Sequence, residues 1–183
     1  MAGERKKVVI TGMGAATPIG IGVEKYWSNL LAGKSGIGPI TRFDPANVAS
    51  KIAGEVSDFD PLDFMEKAEA RRNDLFTQFA YAASEEAIRD SALDLDKLDR
   101  YRIGVIIGSG IGGLQTLLDQ HDVLRTKGTR RVSPFLIPNM IPNMASGRVS
   151  IRYNLKGPNM CLVSACASAN HSIGESLDRK SVV

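Results

Sequence analysis

Cys161-Leu162-Val163-Ser164-Ala165-Cys166-Ala167-Ser168-Ala169-Asn170-His171-Ser172-Ile173-Gly174 is the stretch that decides how this chain folds. A short apolar run climbs to a cysteine, and small residues then open a helix. That order places Cys166 at a strand-to-helix turn. There the first unpaired N–H groups and the positive end of the helix dipole favour a thiolate. Ala165, Ala167 and Ala169 leave room for a sharp turn and for a bound molecule, as in the elbows that carry a nucleophile. A lone cysteine is also, in many folds, a small buried hydrophobe. Taken alone, the stretch supports both readings equally.

Working upstream, Lys156-Gly157-Pro158-Asn159 turns into the strand that carries Cys166, and Asn143 to Tyr153 reads as a helix. Arg102 to Ile107 gives a second buried strand, and Gly108-Ser109-Gly110-Ile111-Gly112-Gly113 opens a helix that runs to Leu124. Lys127-Gly128-Thr129-Arg130-Arg131 between them is an exposed basic loop. The clearest helix spans Ala68 to Ala92, with Leu75, Phe76, Phe79, Ala80, Ala83, Ala87 and Ile88 at helical spacing. Lys51 to Val56 is the best strand candidate of an irregular stretch, and Val23 to Ala32 is a short helix with Tyr26, Trp27, Leu30 and Leu31 on its apolar face. Lys7 to Thr11, a continuous β-branched run, predicts a strand buried on both faces. Apolar strands alternating with helices predict an α/β layered fold around a mostly parallel sheet.

Composition narrows the function. Lysine and arginine number 23 against 20 aspartates and glutamates, and this dispersed net charge of +3 argues against nucleic acid and membrane surfaces as partners. No apolar run approaches the length of a membrane span. Met1 to Lys7 leads straight into the first apolar run, which leaves no room for a signal peptide. Cys161 and Cys166 form neither a disulfide framework nor a zinc pattern, so a reducing, cytoplasmic setting without a metal is expected.

Gly108, Gly110 and Gly113 satisfy G-x-G-x-x-G between a strand and a helix, the setting of a dinucleotide fingerprint. The acidic residue that should follow to meet the ribose is missing, and Arg130-Arg131-Val132-Ser133-Pro134-Phe135 stands in its place. The glycines are better read as allowing positive φ and close packing of helix on strand, with no cofactor. The only histidines are His121 and His171. At 100° per residue His171 lies roughly 140° around a helix from Cys166, so periodicity does not bring it to the same pocket. His121 falls on a polar helix surface. The chain offers a nucleophile without a recognisable base.

Several segments together carry a family resemblance. They are Val8-Val9-Ile10-Thr11-Gly12-Met13-Gly14, the glycine segment 108–113, Ser133-Pro134-Phe135, Asn143-Met144-Ala145-Ser146-Gly147, Gly157-Pro158-Asn159, and Ser164 to Ala169 with His171-Ser172-Ile173-Gly174. In this order and spacing the chain resembles the β-ketoacyl-acyl carrier protein synthases of the type I/II class, nearest their synthase II branch. The resemblance implies a thiolase-like α/β fold, layered αβαβα and built of two similar halves. Residues 1–177 resemble the first half. Asp178-Arg179-Lys180-Ser181-Val182-Val183 departs from the family pattern, as a truncation would.

The resemblance also implies a chemistry. Cys166 would accept an acyl chain from acyl carrier protein as a thioester. Malonyl-acyl carrier protein would then lose carbon dioxide, and its carbanion would attack that thioester. The family places two histidines and a lysine for this step in its second half, and uses no cofactor. Ile111 matches the residue that gates the acyl pocket, and Leu136 matches a position lining that pocket near the interface of a homodimer. Arg71, Arg72, Arg130 and Arg131 fall where the family docks its acidic carrier protein. Two other readings stand beside this one: a non-catalytic partner subunit of a condensing enzyme, in which the nucleophilic cysteine would be absent, and a nicotinamide-dependent oxidoreductase.

Overall fold

A computed structural model describes residues 7–181; residues 1–6 and Val182 and Val183 lie outside them. Strands β1 (Ala16–Thr17) and β2 (Gly20–Ile21) form a small antiparallel pair that leads into helix α1 (Val23–Leu31). A second antiparallel pair joins β3 (Ile37–Pro39) to β4 (Ile52–Gly54), with Gly38 opposite Ala53. Helices α2 (Lys67–Ala70) and α3 (Leu75–Asp90) follow, then strand β5 (Val105–Ile106). Helices α4 (Leu114–Lys127), α5 (Leu136–Met140) and α6 (Met144–Tyr153) cross over to strand β6 (Asn159–Met160), and α7 (Ser168–Ser181) closes the chain. β5 and β6 pair in parallel, Val105 opposite Asn159 and Ile106 opposite Met160, with α6 packed on both. Among the described residues the parallel sheet expected from the apolar strands is present as this one ladder, and the other strands pair antiparallel.

The core lies between α3, α6 and β5. Met65, Ala70, Tyr81, Val105 and Val149 are buried together, with Ile107, Tyr153 and Leu155 packed against them. Arg152 ties the surrounding elements. Its guanidinium meets Glu69 at 3.2 Å and Glu85 at 3.1 Å, donates to the Phe64 carbonyl at 2.7 Å, and lies over the Tyr81 ring at 5.1 Å. Tyr81 donates its hydroxyl to the Arg148 carbonyl at 3.3 Å. Burial, followed by the nearby Glu69 charge, pushes the Tyr81 phenol up to about 12.

Three expectations need correction. Lys7 to Thr11 is not a buried strand: it carries no ladder, and Val9 and Ile10 are exposed. A β-branched run becomes a central strand only with neighbours on its edges. Here the run continues onto α3 instead. Met13 N–H donates to Asp90 at 2.9 Å and Ala15 N–H to Glu86 at 2.9 Å, and the backbones of Gly12 and Gly14 press against the Ala87 and Ala83 carbonyls of α3. The helix expected over Ala68 to Ala92 is broken at Arg71 to Asp74. Asp74 has extended backbone dihedrals, and its carboxylate caps the new helix by accepting from Phe76 N–H at 3.4 Å. The helix expected to open at the glycine segment begins only at Leu114, because Gly112, with φ +80°, turns the chain first.

Candidate active site

The chain leaves β6 at Met160 and runs without ladder bonds through Cys161 to Ser164. It then kinks at Ala165, whose φ of +49° is a left-handed conformation that side chains other than glycine rarely adopt. Ala165–Ala167 form a 3₁₀ turn, and α7 starts at Ser168. Cys166 thus sits one short turn ahead of the helix rather than within its first turn, and the thiol is exposed. Side chains hold the kink on both sides. Ser168 Oγ accepts from Ser164 N–H at 2.9 Å and donates to the Ala165 carbonyl at 2.7 Å, spanning the left-handed residue. Ser168 is buried, and Ser172 Oγ donates to its carbonyl at 2.9 Å.

The glycine segment is the seat of this elbow. A Cβ on Gly108 would lie 2.5 Å from the Ser168 carbonyl oxygen, and one on Gly110 would lie 3.8 Å from Ala165 Cα. On its other side the segment packs on the end of α5, where a Cβ on Gly113 would meet the Asn139 carbonyl oxygen at 2.1 Å. Gly108 and Gly113 serve close approach of backbones, which accounts for glycine at these two positions without a dinucleotide.

The remaining sequence-derived residues fall around this seat. Ile111 follows Gly110 on the same loop and is exposed. Leu136 begins α5 and is half-buried, with its helix packed against α4 and the glycine segment. Arg71 and Arg72 are exposed in the break between α2 and α3, and the Arg72 guanidinium stacks 5.4 Å from the centre of the Phe135 ring, next to Leu136. Arg130 and Arg131 are exposed in the 3₁₀ turn Thr129–Arg131, whose chain continues into Phe135. His121 is exposed on α4, 3.9 Å from Asp122.

His171 lies on α7 with its ring hydrogen-bonded. It is exposed on α7, and its Nδ1 meets Ser164 Oγ at 2.6 Å. The two residues line a cleft of about 450 Å³ together with Leu162, Val163 and Glu175. His171 and Cys166 are separated by about 140° around the helix direction. Ser164 lies ahead of that helix, where helical periodicity sets no relation to His171. A serine and a histidine flanking the cysteine were the available signal. Among the described residues no cluster of histidine, cysteine, aspartate or glutamate could hold a metal ion, and no helix is long and apolar enough to cross a membrane.

An exposed cysteine on a strand-to-helix elbow, seated on a glycine loop within a parallel βαβ unit, defines a thiol-bearing α/β domain. The family follows from comparison with known proteins: residues 5–179 match the model of the beta-ketoacyl synthase N-terminal domain, and the chain belongs to this family. It is similar to 3-oxoacyl-acyl-carrier-protein synthase 2 of Synechocystis sp., 51% identical over 94% of this chain and 41% of the relative. The protein of the same name from Coxiella burnetii is 48% identical over 93% of this chain and 41% of its own length. The chain therefore spans about two fifths of the length of these relatives. Among solved structures it superposes on the ishigamide ketosynthase/chain length factor with a TM-score of 0.87 and 30% identity, covering 98% of this chain and 45% of that one. A type II PKS ketosynthase in complex with its acyl-carrier protein superposes with a TM-score of 0.83 and 26% identity, covering 97% of this chain and 48% of that one. The fold is the thiolase-like α/β fold of the ketosynthases, matched over its N-terminal half.

Proposed function

We propose that this chain is the acyl-accepting N-terminal domain of a fatty-acid elongating condensing enzyme. The observation that carries the reading is the exposed Cys166 thiol on its strained elbow, in a chain of the β-ketoacyl synthase family. In the first stage the Cys166 thiolate attacks the thioester carbonyl of an acyl carrier protein. The carrier's C–S bond breaks, its thiolate takes a proton, and the acyl group stays on Cys166. The Cys166 N–H, in the turn ahead of α7, is one donor for the oxyanion of that step. In the second stage malonyl-acyl carrier protein loses carbon dioxide. Its carbanion attacks the Cys166 thioester, releasing 3-oxoacyl-acyl carrier protein and the free thiol. The family's second half brings the histidines and lysine of that stage, and residues 1–177 supply the acylation stage.

The partner in this reading is an acidic acyl carrier protein, steered by Arg71, Arg72, Arg130 and Arg131. Ile111 and Leu136 contact the acyl chain, a homodimer completes the pocket, and the reduced thiols suit the cytoplasm. The test is transfer from acyl-acyl carrier protein, followed by intact mass and peptide mapping. One acyl group on the Cys166 peptide is expected, with none on Cys166→Ala. Acylation that persists in Cys166→Ala, or that maps to Cys161, overturns the assignment.

A further inference from the structure

We propose that Ser164 and His171 are a coupled pair of positioning residues for the Cys166 thiol. The inference rests on Cys166 as the reactive thiol of this domain. Its geometry is local and complete. Ala165 holds a left-handed backbone immediately before Cys166, and a residue so placed stays there only when its surroundings fix it. Ser168 fixes the main chain through Ser164 N–H and the Ala165 carbonyl. That leaves the Ser164 side chain as the free lever of the kink, and it is the atom that His171 Nδ1 meets at 2.6 Å.

The contact spans seven residues, from two before the thiol to five after it, and so fastens the incoming chain to the outgoing helix. An exposed histidine has water on offer, and the Ser164 hydroxyl could turn to other acceptors. Their closure on one another therefore determines the direction in which Ser164 enters the kink. With the ring proton on Nε2, Ser164 donates to Nδ1; with it on Nδ1, the ring donates to Ser164 Oγ, and either bond closes the same pair. Loss of either partner leaves the kink held by Ser168 alone and lets the Cys166 thiol shift from the position the elbow gives it.

The test compares iodoacetamide alkylation of Cys166 with that of Cys161 in the same molecule, resolved by peptide mass spectrometry. Ser164→Ala and His171→Ala each slow Cys166 relative to Cys161 by about 2- to 10-fold, the range that loss of one net hydrogen bond supports. The double variant slows it no further than the more affected single variant. His171→Asn, whose amide places an acceptor near the position of Nδ1, recovers most of the rate. Nitrogen NMR of the imidazole shows an Nδ1 signal that changes in Ser164→Ala, as loss of its hydrogen-bond partner requires. An unchanged ratio in Ser164→Ala and His171→Ala overturns the proposal, as does a double effect equal to the product of the singles. Faster alkylation of Cys161 in the variants overturns it too, since that marks general unfolding rather than a local change at the elbow. Because alkylation needs no carrier protein, this outcome is independent of whether acyl transfer occurs.

Discussion

Replacing Gly108 by alanine tests whether the glycine segment seats the Cys166 elbow. The added Cβ would stand 2.5 Å from the Ser168 carbonyl oxygen, 2.7 Å from its carbon and 2.8 Å from Ser172 Oγ. Two of these are main-chain atoms at the start of α7, so no side-chain rotation relieves the clash. An ordinary separation of 3.4 Å from that oxygen requires the two backbones to part by about 0.9 Å. Overpacking on this scale costs about 1–3 kcal/mol. For a domain of this size each kcal/mol moves Tm by about 2–4 °C, so Gly108→Ala is expected to melt about 2–12 °C below wild type. Gly174→Ala is the matched control: it lies within α7 with nothing within 4 Å of the added carbon, and it gains about 0.4–1 kcal/mol from the stiffer unfolded chain and better helix propensity. Circular dichroism melts of both variants read the difference directly. The Gly108 variant should also show altered alkylation of Cys166 relative to Cys161, because the displaced helix start carries the kink. A Gly108→Ala chain that melts with wild type, or a Gly174→Ala chain that loses as much, refutes the argument.

Three further perturbations follow from the same geometry. Arg152→Met leaves Glu69 and Glu85 without their shared cation and the Phe64 carbonyl without its donor. Because the guanidinium is partly exposed, urea unfolding should show a loss of about 1–3 kcal/mol that shrinks in high salt. Glu86→Gln retains one of the two acceptors that hold Ala15 N–H and Val23 N–H, and should cost about 1–2 kcal/mol in the same assay. Tyr81 is held neutral to about 12 from an ordinary 10.0, so the unfolded chain releases its proton first. Its contribution is complete below pH 10 and is lost as pH rises towards 12, and Tyr81→Phe should flatten that part of the stability profile. A Tyr81→Phe profile that falls as steeply as wild type over this window would show that another group drives it.

The residues that sequence pattern located best are those whose role needs only local chemistry. Small residues on either side of Cys166 announced a tight turn, and the turn is there. The residue that bears the strain is Ala165, and no pattern marks an alanine that must adopt positive φ, because the demand comes from Ser168 and the glycine segment rather than from Ala165 itself. Long-range pairing was less legible. Hydrophobic periodicity carried one helix across Arg71 to Asp74, where capping by Asp74 outweighs the continuing apolar stripe. It also made Lys7 to Thr11 a strand, though a run of valine and isoleucine reports preference for a ladder and not the presence of a neighbour. Here Glu86 and Asp90 of α3 capture the backbone that follows the run.

The glycine segment shows what decides between two readings of one motif. A dinucleotide site and a nucleophile seat both need glycines after a strand, since both bring a foreign backbone or phosphate within reach of the main chain. The spacing alone cannot separate them. What separates them is the object that fills the space where a Cβ would stand. At Gly108 it is the Ser168 carbonyl and Ser172 Oγ, and at Gly113 it is the Asn139 carbonyl together with Asp74. Those volumes are occupied by the chain's own atoms, so packing alone accounts for glycine at these two positions. The same occupancy joins the two motifs that the sequence presented separately. The glycines give way to the start of α7, α7 supplies Ser168 and His171, and these hold Ser164 and Ala165 so that Cys166 faces outward. The glycine loop and the cysteine elbow are one mechanical unit, and a change in either should be read at the thiol.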